Sequence, residues 1–532
     1  MNTSAYKWVA GALVSVGIFV ALLDTTIVDI VLPKMMASLD ADLRGIQWVV
    51  IVYFIGSAIA MTAASWLADR VGPRRLYLAG LLLFLVASVF CGLAWNLPAM
   101  LVGRLIQGLG EGILVPVGLI ILYTVFPERE HGTAMGLYGL SASFAPALGP
   151  TLGGLITEHL EWRWVFYINL PVGLVTAVLI LALMRPLGRR RRRSFDFIGF
   201  ALLSVALSAL IVLLGKGQEL GWSTSDTIVI LGVVTLVSTV ATVAWLAWSR
   251  VPLFPRAIFG RRAFRVGMAA MVLLSINAYG FFLLLPVFLQ RLRGLTTLQA
   301  GLVLLPGALL SALTTLASGI VSDRIDPRKV GVLFLLLTGW ASWHFGTDPD
   351  TPLFRLVLDY MFWGAAVGGT FAPVTLVALG PLGRDEINDG STLVNVARLA
   401  AGSVGTALAT ATLAARSDAF AQVTRHFLEP DRPALAATVF ALTGADPAGG
   451  NPDAMLRALT MGEGLLRRAT TAWAFDAVFD VLAVFMVAAA VALALAWWHP
   501  EDDDTTQQPS ARNPKSSTLT TAARLEPGPP RP

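Results

Sequence analysis

Four ionisable residues stand inside apolar stretches long enough to cross a membrane: Asp24 and Asp29 in one, Arg104 and Glu111 in another. Charge at the bilayer midplane is costly unless it is paired or hydrated, so each is a candidate for carrying a proton or counter-charging a ligand. Arg104 and Glu111 are seven residues apart, with Gln107 and Gly108 between them on the same helical face. Asp24 and Asp29 are five apart, about 140° around a helix, and do not share a face. Counting depth along the spans places Asp24 and Glu111 near mid-membrane and Asp29 and Arg104 nearer the exterior. The expected clusters are therefore Asp24 with Glu111 and Asp29 with Arg104. Two carboxyls close together in low dielectric do not both ionise cheaply, so one of the first pair should hold a proton that a cationic ligand could replace. Asp24 could instead hydrogen-bond a broken neighbouring helix, and Arg104 could be a permanent ion pair tying the first and fourth spans.

These residues belong to a chain built for lipid. Of its 532 residues 56% are hydrophobic and 14% charged, and the mean hydropathy is +0.70. Soluble domains carry nearer a quarter charged residues, so the expected class is an all-α polytopic membrane protein. A window of about twenty residues finds roughly fourteen spans, near 9–33, 46–67, 75–95, 99–125, 134–157, 164–184, 197–215, 227–248, 264–289, 298–320, 329–345, 354–379, 392–414 and 475–498. The first is too long for a signal peptide and contains Asp24. One cysteine, Cys91, offers neither a disulfide nor a cysteine metal cluster. No His/Cys/Asp set has metal-ligand spacing, no glycine loop precedes a phosphate-binding lysine, and no nucleophile has a base, so neither an enzyme nor a bound cofactor is expected. His131 and His159 fall in loops.

The fifth span is unusual. From Phe144 to Gly154 it carries Pro146, Gly149, Pro150, Gly153 and Gly154, a composition that removes backbone donors, thins one face and invites a bend. Loop arginines set orientation: Arg70, Arg74, Arg75, the run Arg189 to Arg193, Arg256, Arg261, Arg262, Arg265, Arg324, Arg328 and Lys329 collect on one side. That side is expected to be cytoplasmic, with both termini inside. The text Ser65 to Arg75 is echoed by Gly319 to Lys329, and Gly108 to Pro116 by Gly364 to Pro373. The echoes divide the chain into a six-helix half at 1–193, two inserted helices at 194–250 and a second six-helix half at 251–498. The second half includes a long exterior segment, 415–474, with possible amphipathic helices at 433–442 and 454–468. Residues 499–532, rich in acidic, Pro, Ser and Thr residues, read as a disordered cytoplasmic tail.

Several motifs carry a resemblance. They are Leu23 to Pro33 with Asp24-Thr25-Thr26; Asp69-Arg70 with Gly72 and Arg74-Arg75; Arg104 to Gly108; Gly149 to Gly154; Trp162 to Gly173; and Asn395 to Arg398 with Gly402 to Gly405. In this order they resemble the fourteen-helix drug:proton antiporter branch of the major facilitator superfamily, the EmrB/QacA type. Asp29, Ser65 and Glu111 depart from the usual Asn, Gly and small residue of those motifs. The resemblance implies two six-helix halves plus two inserted helices, alternating access, and export of lipophilic, often cationic compounds against protons. It implies a proton-coupling part for Arg104, which joins the acids Asp24, Asp29 and Glu111 already singled out by their place inside apolar spans. It also implies that Asp69, Arg70, Gly72 and Arg74 form a latch between the halves, with Asp69 meeting the start of the thirteenth helix near Ser391 or Thr392. The arginines could equally be positive-inside anchors.

Expected partners are a small-molecule substrate, protons and the lipid bilayer of a cytoplasmic (inner) membrane; nucleic acid is not expected. Tyr53, Gln107, Asn277, Tyr279, Phe281, Phe282 and Trp363 are candidate substrate contacts, because aromatic walls suit flat cations. An aromatic in a membrane helix more often packs or faces lipid. Two alternatives use the same text: export of a lipid-like or endogenous metabolite, or a subunit acting mainly with a periplasmic adaptor, which segment 415–474 would serve.

Overall fold

The computed structural model describes residues 3–187, 193–348, 350–427 and 452–497. Residues 189–192 of the arginine run, the expected helix at 433–442 and the tail from 499 lie outside the described residues. The long helices are α1 (Thr3–Ser38), α2 (Trp48–Val71), α3 (Pro73–Gly92), α4 (Leu97–Val125), α5 (His131–His159), α6 (Asn169–Leu183) and α7 (Phe197–Leu220). They continue as α8 (Asp226–Trp248), α9 (Arg262–Arg291), α10 (Thr297–Ser322), α11 (Pro327–Trp343), α12 (Leu353–Leu379), α13 (Ile387–Phe427) and α14 (Pro452–Trp497). No strand occurs among the described residues.

Among the described residues, twelve helices are long and apolar enough to cross a membrane. The two long helices that fall short are α5, whose Gly, Pro, Ser and Thr residues dilute its apolarity, and α11, which has 17 residues. Exposed Val229, Ile230, Val233, Leu236, Val237 and Val240 on α8 show where these helices meet lipid rather than water. The chain is a multi-pass membrane protein. Its boundaries follow ordinary helix chemistry. Asn96 accepts from Ala99 N (2.9 Å) at the start of α4, and Asp196 does the same for Gly199 N at α7. Gly72 joins α2 to α3 at φ 94°, a conformation that glycine reaches without a Cβ penalty.

The sequence echo is also a packing echo. In the first half α2 packs on α4 and α1 on α5; in the second, α10 packs on α12 and α9 on α13. The halves meet along two seams, α5 against α10 and α2 against α13. Of the two inserted helices, α7 lies against α2 and α13 while α8 packs chiefly on α7. The segment 454–468, expected as a separate amphipathic helix, is instead the beginning of α14, continuous with the last span. Likewise α13 runs on to Phe427.

Candidate functional site

The first half holds a sealed polar network at its centre. Asp24 on α1 accepts from Arg104 Nη1 (2.5 Å), Gln107 Nε2 (2.9 Å) and Asn169 Nδ2 (2.8 Å). Three donors and no acceptor face it, an arrangement suited to an ionised carboxylate. Gln107 also donates to Ser88 Oγ (2.9 Å) and accepts from Arg104 (2.7 Å). Arg104 Nε donates to Val49 O (3.1 Å), and the guanidinium lies 4.0 Å over the Tyr53 ring. All of these side chains are buried. A charge so enclosed is tolerable only because it is paired and hydrogen-bonded.

This pairing corrects the expected clusters. Arg104 bonds Asp24, not Asp29, and Glu111 is not Asp24's partner. Depth counted from span ends misled, because α1 has 36 residues, about 54 Å of helix against a hydrocarbon core of ~30 Å. Glu111 is buried on α4. Among the described residues its Oε2 and Ser57 Oγ on α2 make no hydrogen bond within normal geometry, although the two side chains are neighbours.

Asp29 has different surroundings. It is exposed and lines a cavity of about 560 Å³ on the face opposite the arginine-rich loops. Its walls come from both halves and from α7: Phe54, Pro146 and Pro150, Ile211 and Leu214, Tyr279 and Phe282, Tyr360, and Ser403 and Thr406. Asp29 is the one charged side chain among the described lining residues. The composition of α5 now has a reason. Pro146 and Pro150 face the cavity, whereas a Cβ on Gly149 would stand 2.1 Å from Thr26 Oγ1, and one on Gly153 would press Ile30 and Ile27. Gly154 serves the other neighbour, where a Cβ would lie 3.1 Å from Leu298 Cα of α10. The helix itself is continuous through both prolines.

Of the candidate substrate contacts, Phe282 and Tyr279 line the cavity. The structure places the others in packing. Tyr53 and Gln107 belong to the Asp24 network. Asn277 donates to Ser342 Oγ and Leu482 O, Trp363 Nε1 donates to Ser342 Oγ, and Phe281 stacks on Trp363 at 3.9 Å. An aromatic in a span reads the same in sequence whether it faces a cavity or a core.

On the arginine-rich face, carboxylates bridge the halves. Asp69 Oδ1 accepts from Asn388 Nδ2 (2.6 Å) at the first turn of α13. Ser391 and Thr392, expected there, lie beyond that turn, because α13 begins at Ile387. The echo motif makes the reciprocal contact: Asp323 accepts from Gly132 N (2.6 Å), Thr133 N (2.9 Å) and Thr133 Oγ1 (2.5 Å) at the N-terminus of α5. A carboxylate there satisfies orphan amides and the helix dipole together. Arg74 donates to Ile180 O and Leu181 O near the end of α6, and Arg70 lies 5.2 Å over Trp66.

Sequence reading gave Asn169 and Asp323 no role, although both lie in its motifs, and it missed Asp389. Asp389 is buried, accepts from Ser65 Oγ across the halves, and binds Arg193 Nη1 through both oxygens (3.1 and 3.0 Å). Arg193 also donates to Pro252 O and Leu253 O, so this last residue of the run is structural as well as basic. An acid at the start of a span was the available signal. Buried Arg398 lies 5.7 Å over Tyr138, whose hydroxyl donates to Asn395 Oδ1 (2.8 Å) across the α5–α13 gap.

Residues 14–406 match the profile of the Major Facilitator Superfamily. The chain is 31% identical over 411 residues to the "Probable multidrug resistance protein EmrY" of Escherichia coli K12, covering 76% of this chain and 80% of that protein. It is 29% identical over 401 residues to the "Multidrug export protein EmrB" of the same organism, covering 74% and 78%. The "Fatty acid resistance protein FarB" of Neisseria gonorrhoeae is 30% identical over 410 residues, covering 76% and 80%. Among solved structures, the proton:xylose symporter XylE superposes with a TM-score of 0.57 at 13% identity, over 91% of this chain and 96% of that one. The human organic anion transporter MFSD10 gives 0.56 at 14%, over 92% and 99%. At such identities these two speak for the fold alone.

Proposed function

Because this chain belongs to the major facilitator superfamily, a family of transporters, we propose that it exports lipophilic cations from the cytoplasm in exchange for protons. The observation that carries this reading is the cavity: apolar and aromatic walls around a single carboxylate, Asp29. Its volume lies within the usual range for small-molecule sites, roughly 300–1,000 Å³. Asp29 has space beside it for either a monovalent cation or a proton, so the two compete for one charge. The names of the multidrug relatives point the same way.

In this reading the arginine-rich face is cytoplasmic and the cavity opens outward, while the bridges of Asp69, Asp323 and Asp389 hold the cytoplasmic ends together. Protonation of Asp24 would free Arg104 from its partner and loosen α1 against α4, offering a second step through which proton binding reaches the helices. In this reading Glu111, buried on α4, is a third acid available to carry a proton. A lipid-like substrate is the second reading, supported by the apolar walls and by the name of FarB; the Asp29 carboxylate favours a cation over a fatty-acid anion.

The test is efflux from cells expressing the protein, with ethidium as the cation and a neutral dye of similar size beside it. Energy-dependent ethidium export that Asp29→Asn abolishes, with the protein at wild-type abundance in the membrane, supports the reading. Export of the neutral dye or of a fatty acid with no export of ethidium overturns it in favour of the second.

A further inference from the structure

The inserted helices read from sequence as additions between two complete halves, yet α7 occupies a functional position. It lies against both α2 and α13, the elements of one inter-half seam. Ile211, Leu214 and Gly215 form part of the cavity wall, between Ile51 and Phe54 of α2 and Ser403 and Thr406 of α13.

The wall is pinned to the first half at three heights. Lys216, buried, donates to Arg44 O (2.9 Å), Gln47 Oε1 (2.7 Å) and Glu219 Oε2 (2.8 Å), filling all three ammonium donors. Ser204 Oγ pairs with Thr62 Oγ1 (3.2 Å), and Trp66 Nε1 donates to Arg193 O (2.9 Å) just before the helix starts. Gln47 itself lines the cavity, so the Lys216 anchor and the wall share a residue. With α7 held in place, the volume offered to a ligand depends on what its inward residues carry. At Gly215 the space is open: a Cβ would touch the Ile51 side chain at 3.4 Å and nothing closer. At Gly217, two residues on, a Cβ would meet the Trp222 ring at 2.5 Å.

We propose that α7, through Ile211, Leu214 and Gly215, is a specificity-determining wall that sets the upper size of the cations the cavity accepts. The inference rests on the cation-export reading, and it assigns to an inserted helix a role that neither half supplies.

The experiment uses full-length protein in proteoliposomes and a series of quaternary ammonium ions of equal charge, from tetraethylammonium to tetrapentylammonium, with tetraphenylphosphonium as the largest probe. Gly215→Leu is compared with wild type and with Gly232→Leu on α8, where a Cβ would meet nothing within 4 Å. The expected result is a cut-off that moves to smaller ions, with transport of the largest probes reduced about tenfold or more and of the smallest by less than about twofold, while Gly232→Leu keeps the wild-type profile. Equal loss across the series, or no change at Gly215, overturns the proposal. Wild-type protein that moves none of the ions refutes the cation reading instead. In that case a transport-independent measurement still decides the placement of α7. In a background with buried Cys91 replaced, Gly215→Cys should react with a water-soluble maleimide and Gly232→Cys should not. An unreactive Gly215→Cys removes α7 from the cavity wall and overturns the proposal.

Discussion

Asp24 and Asp29 stand five residues apart on one helix in opposite environments: Asp24 is sealed against Arg104 at 2.5 Å, whereas Asp29 faces an open cavity. The angular offset of five helical residues, about 140°, lets a single span present one acid to the protein interior and another to the cavity. The two should therefore fail differently when neutralised.

Asp29→Asn should act on substrate charge. Export of monovalent cations should fall about tenfold or more, an effect worth ~1.4 kcal/mol, while a neutral substrate of similar size changes by less than about twofold. Parallel dose–response curves with a cationic and a neutral compound check this; equal loss of both would move Asp29 from the binding site to the scaffold.

Arg104→Met should act on stability. It leaves Asp24 buried with two neutral donors and no countercharge, a change that typically costs about 3–5 kcal/mol. The melting temperature in detergent should drop, and Asp24→Asn added to Arg104→Met should recover part of the loss. Purely additive losses would mean that the pair is not energetically coupled.

Gly149→Val should separate α5 from α1. The added side chain begins 2.1 Å from Thr26 Oγ1, 2.7 Å from Thr26 Cβ and 3.1 Å from Ile27 N, so the two nearest obstacles belong to the Thr26 side chain and the third is backbone. Gly149→Ala with Thr26→Gly, which removes both Thr26 atoms in the way, should therefore export better than Gly149→Ala alone, while Gly149→Val should stay inactive with either residue at position 26. Membrane abundance by blotting separates this from misfolding.

The reciprocal bridges make a population prediction. Asp323→Ala removes the acceptor for two backbone amides at the start of α5, worth about 1–2 kcal/mol, so the state with this face closed should become roughly tenfold less favoured. Spin labels at exposed Leu43 and Leu353, which lie on the cavity side, should gain a shorter-distance population. An unchanged distance distribution would show that Asp323 is a helix cap and not a latch.

Much of this was legible in the residues, and the remainder failed for physical reasons. Helix order and the repeat follow from apolar run length and loop text, which are local properties. Asp24, Arg104 and Gln107 were identifiable because charge or amide groups inside an apolar span demand partners. Their pairing was not, since an arginine side chain reaches more than a helical turn and α1 overruns the membrane. The packing roles of Asn277, Phe281 and Trp363 and the place of α7 in the cavity wall depend on which helices become neighbours. That information lies in interhelical contacts, not in any one segment. Asp323 shows the intermediate case: its repeat was visible, while its partner, the N-terminus of α5, required the fold.

The central claim is exchange of a cation for protons, and proton counterflow tests it most directly. Purified protein in liposomes with an imposed pH gradient and an internal pH dye should show proton movement when ethidium is added. The signal should disappear in Asp29→Asn and be lost or uncoupled in Asp24→Asn. Ethidium transport with no accompanying proton flux in the wild type would contradict the account.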